Sequence, residues 1–78
     1  MNKYVIVRNE CASPEAGNSF LSSVDKNGLH FTQNIDDAIV LNDQEMCVFL
    51  ARALTRVFRT VDVYLVKEET VLSFEYIW

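Results

Sequence analysis

The chain has 78 residues, half of them hydrophobic and 23% charged. A chain this short makes one domain around one marginal core, which excludes dinucleotide folds, eight-stranded barrels and multi-domain enzymes. Seven Lys and Arg against eleven Asp and Glu leave a net charge of −4, which argues against a protein that grips nucleic acid through its phosphates.

The first residues show no basic stretch followed by a long apolar one, and no apolar run approaches the ~20 residues of a membrane helix. The expected setting is therefore the cytoplasm, with no membrane. Cys11 and Cys47 are then expected to be free thiols rather than a disulfide.

Lys3-Tyr4-Val5-Ile6-Val7-Arg8 is β-branched, aromatic and short, and predicts a strand. Asn9 to Ser19 holds Pro14 and Gly17 and predicts a long loop. Phe20 to Val24 predicts a second strand and Leu29 to Thr32 a third. Between them, Asn27-Gly28 supplies the positive φ of a tight hairpin turn. Asn34 can cap a short helical turn over Ile35 to Ala38, and Ile39-Val40-Leu41 is apolar and brief.

Asn42 is placed as the cap of a helix over 43–58, with Glu45 in the third helical position. Met46, Phe49, Leu50, Ala53, Leu54, Val57 and Phe58 fall on one stripe at helical spacing and are the expected buried face. Arg52, Arg56 and Arg59 fall on the other side. Val61 to Lys67 predicts a fourth strand and Val71 to Ile77 a fifth. The order β-β-β-α-β-β gives an α+β fold for residues 1–78. It has an antiparallel sheet of about five strands with one long helix on one face.

A flat sheet of that size is roughly 20 Å wide and a helix ~10 Å, so the second face should be bare. Alternation nevertheless puts apolar residues on both sides of three strands. Val5 and Val7 oppose Tyr4 and Ile6, and Val61, Val63 and Leu65 oppose Tyr64 and Val66. In the last strand Leu72, Phe74, Tyr76 and Trp78 oppose Val71 and Ile77. Scattered exposed apolar residues are ordinary, but a bare apolar face of several hundred Å² marks a contact surface. Tyr64, Tyr76 and Trp78 are its expected anchors. Arg52, Arg56 and Arg59, at i, i+4 and i+7, form a second candidate surface. Its plainer reading is a solvated face that offsets the helix dipole.

Catalytic chemistry finds little footing. Cys11, Cys47 and His30 are the soft ligands, without the four-ligand spacing of structural zinc. Cys47 reads as a small hydrophobe, and His30 as a solvent-facing hairpin residue. Asp36, Asp37, Asp43 and Glu45 cluster where acidic residues favour helix N-termini. The expectation is no enzyme, no cofactor and no metal.

The stretch Phe20-Leu21-Ser22-Ser23-Val24, Asn27-Gly28, Phe31-Thr32, Ile35-Asp36-Asp37-Ala38 leads into a helix headed by a polar cap. Over residues 20–58 it resembles small accessory proteins from the early regions of phages and prophages of Gram-positive bacteria. The resemblance implies a compact fold. Some phage proteins of this size and acidity are anti-CRISPR or other anti-defence inhibitors. The expected function is therefore a non-enzymatic, protein-binding inhibitor of a host defence nuclease that works by occlusion. The alternatives are a homo-oligomeric accessory protein that closes the bare sheet face with its own copy, and a small nucleic-acid-binding regulator using the arginines. The expected partner is a protein, either a host effector or a second copy.

Overall fold

The computed structural model describes residues 2–10, 14, 19–57, 60–68 and 70–78. They form an antiparallel sheet and one α-helix, the α+β fold expected. Strand β1 (Lys3–Arg8) runs through the middle. Its β-branched residues suit a strand buried on both faces, and Tyr4, Val5, Ile6 and Val7 are all buried.

β2 (Phe20–Asp25) and β3 (Gly28–Thr32) form the expected hairpin. Gly28 takes a φ of 126°, a region open to glycine at little steric cost. The Asn27 N–H donates to Asp25 Oδ1 at 2.7 Å and closes the turn. Asn34 caps a 3-10 turn over Ile35–Asp37, its Oδ1 accepting from the Asp36 N–H at 3.0 Å.

One edge of β1 is shared by two strands. Val7 pairs with Phe20 of β2, whereas Tyr4 and Val5 pair with Leu41 and Val40 of β4 (Val40–Leu41). The sequence marks 39–41 only as apolar. In the fold it fills the part of the β1 edge that the departing hairpin leaves open, and gives the sheet a sixth strand. On the other edge, β5 (Val61–Glu68) pairs with β1 from Lys3↔Val66 to Arg8↔Val61. β6 (Ser73–Tyr76) then pairs with β5, and the order is β3-β2-β1-β5-β6. Val71 and Leu72, expected in the last strand, lie in the turn before it.

The helix α1 spans Gln44–Thr55. Its cap is Asp43, not Asn42: Asp43 Oδ1 accepts from the N–H groups of Glu45 and Met46 at 2.9 and 3.3 Å. The helix also ends before residue 58, and Phe58 lies outside the described residues. The buried stripe is shifted by the same single residue. Cys47, Ala51 and Leu54 are buried and Leu50 and Thr55 half-buried, while Met46, Phe49, Ala53 and Val57 are exposed. A shift of one position turns the helix by about 100°. The cause lies in the sheet. Ile6, Val61 and Val63 crowd the face beneath, and only small side chains such as Cys47 and Ala51 let the helix axis come close. Phe49 pointing inward would hold the helix off the sheet.

The bare second face is the other correction. Val5, Val7 and Phe20 are each 1% exposed or less, and with Val66 they form a second apolar layer. Ile35 and Ala38 of the 3-10 turn pack on it, as do Tyr64 and Phe74. Phe20 and Phe74 stand on strands three spacings apart, about 14 Å on a flat sheet. Their ring centroids are nevertheless 5.7 Å apart. The sheet therefore curls towards this side and closes over its own side chains. Each large residue so buried contributes about 1.5–3 kcal/mol.

Candidate functional site

Two surfaces collect the side chains that could meet a partner. The first lies on the curled face, at the β5–β6 edge. Tyr64 of β5 and Tyr76 of β6 are cross-strand partners. Their rings meet edge-to-face, with centroids 5.5 Å apart and planes at 73°. Phe74 stands edge-on to Tyr64 at 6.4 Å and continues the row to Phe20. Aromatic pairs of this geometry add to simple area burial, so the row is held in place from its buried end. Phe20 is buried, Tyr64 half-buried and Tyr76 60% exposed. The row thus rises from core to solvent.

Trp78 does not join this row. β6 ends at Tyr76, and the N–H groups of Ile77 and Trp78 both donate to the carbonyl of Val63, at 2.9 and 3.2 Å. Strand alternation stops there, and Trp78 packs half-buried on the helix side of the sheet, beside the Tyr4–Ile6–Val63 layer.

The second surface is the outward side of α1. Phe49 stands almost opposite the buried Cys47–Ala51–Leu54 stripe and is 70% exposed. Met46 at 55% and Val57 at 74% flank it. Arg52 and Arg56 are exposed on the same side; Arg59 lies outside the described residues. Sequence periodicity missed this surface because it assigned Phe49, Met46 and Val57 to the core.

The remaining polar groups have local roles. His30 Nε2 lies 2.9 Å from Asp25 Oδ2 across the hairpin, both side chains about half exposed. Arg8 reaches Ser19 Oγ at 3.2 Å and Glu10 at 3.3 Å, with its guanidinium 5.0 Å from the Phe31 ring centroid. Burial pushes the Cys47 thiol up to about 11, which leaves it neutral and unreactive. Cys11 lies outside the described residues. Among the described residues, no three His, Cys, Asp or Glu side chains gather as metal ligands. No helix among them is long and apolar enough to cross a membrane.

Compared with known proteins, the chain matches no family model, no curated protein and no solved structure.

Proposed function

We propose that this chain is a non-enzymatic protein-binding module whose contact surface is the Tyr64–Tyr76 edge of the curled sheet. The observation that carries this reading is the ring row itself. An exposed tyrosine seated on packed aromatic neighbours loses little side-chain freedom on binding, and tyrosine is favoured among the anchors of protein interfaces. A net charge of −4 suits a partner with a basic surface.

The concrete form of the reading is an inhibitor of a bacterial defence nuclease, anti-CRISPR-like, that covers a nucleic-acid groove. The phage resemblance and the acidity support it. A role in gripping nucleic acid through Arg52 and Arg56 is less favoured, because Asp43 and Glu45 stand on the same helix and oppose phosphate.

The test is capture from a bacterial lysate at low salt, with mass spectrometry of what is retained. The wild type should hold one basic, nucleic-acid-binding protein, and Tyr76→Ser should hold at least about tenfold less of it. The captured nuclease should lose cleavage activity when the chain is added. Recovery of no specific partner, or equal recovery by Tyr76→Ser, counts against the reading.

A further inference from the structure

The outward side of α1 carries its charges in a self-complementary order about Phe49. Glu45 stands four residues before Phe49 and Arg52 three after it, both within about 60° of it on the same flank of the helix. Both are exposed, and no ion pair joins either of them to another described residue. A two-fold axis through Phe49, perpendicular to the helix, would bring a second copy alongside in the antiparallel sense. Glu45 would then lie level with Arg52 of the second copy, within one residue's rise of about 1.5 Å. Symmetry repeats the pair. A parallel pairing would instead set Arg52 against Arg52 and Glu45 against Glu45.

The apolar residues fit the same arrangement. Phe49 would sit on the axis against its own copy. Beside it a recess of about 600 Å³ runs along the helix, walled by Met46, Val48 and Phe49, with Glu45 towards one end and Arg52 towards the other. We propose that this face is a homodimer interface: two copies pair antiparallel through α1, with Phe49 on the two-fold axis.

The occupant is a second copy because the chain supplies its own charge complement in the required order. This differs from closure of a bare sheet face, since that face is already filled by Val5, Val7 and Phe20. A contact built on 12 helical residues, about 18 Å long, belongs to the small class of interfaces. The dimer is accordingly weak and sensitive to salt. Tyr76 lies on the other side of the sheet and stays open in each copy.

The test is sedimentation velocity of the full chain at low salt, from roughly 5 to 500 μM, the range in which a micromolar dissociation constant shows. The wild type should pass from monomer to dimer. Phe49→Glu should raise the dissociation constant at least about 30-fold. Glu45→Arg and Arg52→Glu should each raise it about tenfold, because one reversal spoils two symmetric pairs. The double variant Glu45→Arg with Arg52→Glu is again self-complementary, and should return to within about threefold of the wild type. These positions are exposed, and circular dichroism verifies that each variant is folded. A chain monomeric throughout, a dimer indifferent to Phe49→Glu, or a double variant as weak as the singles would overturn the proposal.

Discussion

Burial and hydrogen bonding move single ionisable groups in opposite senses. Cys47 is a neutral thiol sealed under the helix, so reagent reaches it only when the chain opens. In a Cys11→Ser variant at pH 7.5, a thiol reagent should label Cys47 about a thousandfold more slowly in the folded chain than in denaturant; rapid labelling would place the thiol outside the core. Asp62, half-buried and paired with Val7 in the ladder, has its pKa raised by desolvation. Its folded pKa therefore exceeds its unfolded one. The native state holds the proton more tightly, so stability falls as pH rises through the folded pKa. Asp62→Asn should raise Tm at pH 7 by an amount worth less than about 1 kcal/mol, since the group still touches water. The gain should vanish near pH 3, where both side chains are neutral. Equal gains at both pH values would mean that desolvation is not its cause. Asp25 has the opposite sign. The Asn27 N–H and then His30 lower its pKa, so what it contributes is present at neutral pH and lost as pH falls through its folded value.

At the scale of elements, capping gives the clearest test. Asp43 satisfies two of the N–H groups left open at the start of α1. Asp43→Ala should cost about 1 kcal/mol, read as a lower midpoint in a urea melt followed by helical circular dichroism; an unchanged midpoint would show that the cap contributes nothing. The one-residue error at this cap explains much of what the sequence left hidden. Asn42 and Asp43 are both good caps, and the helix is apolar around most of its circumference, so two phases fit its periodicity. Only the crowding of Ile6, Val61 and Val63 beneath the helix decides between them, and that is a tertiary fact. The strands were more legible. Asn27-Gly28 specifies a hairpin turn locally, and alternation in β1 and β5 assigns Tyr4 and Ile6, against Val5 and Val7, to their observed sides. The same alternation puts Tyr64 on the face away from Val61 and Val63, and Tyr76 with Phe74, while their pairing across strands depends on the register; it fails at Trp78, where two N–H groups converge on one carbonyl. β4 was invisible because two residues carry no period, and the curl because it depends on side chains from distant strands meeting.

Across the whole molecule, two apolar layers share one sheet, which raises the question of whether they melt separately. The helix-side layer is built on Tyr4, Ile6, Val61 and Val63, and the curled-side layer on Val5, Val7, Phe20 and Val66. In β1 and β5 these residues alternate along the same backbone, and six cross-strand pairs join the two strands. Neither layer can loosen without releasing the ladder that carries the other, so unfolding should be a single cooperative transition. Leu54→Ala beneath the helix and Phe20→Ala on the curled side should each cost about 2–5 kcal/mol. Two probes check this: far-UV circular dichroism for the backbone, and fluorescence of Trp78, the only tryptophan, which packs on the helix side. Both should report the same midpoint in each variant, with the urea slope unchanged. Phe20→Ala is the sharper case, because its lesion lies across the sheet from the reporter. If its fluorescence transition stays at the wild-type midpoint while circular dichroism moves to lower urea, the layers are independent and the shared-ladder account fails. If both move together, the alternating residues of β1 and β5 are what make 78 residues fold as one unit.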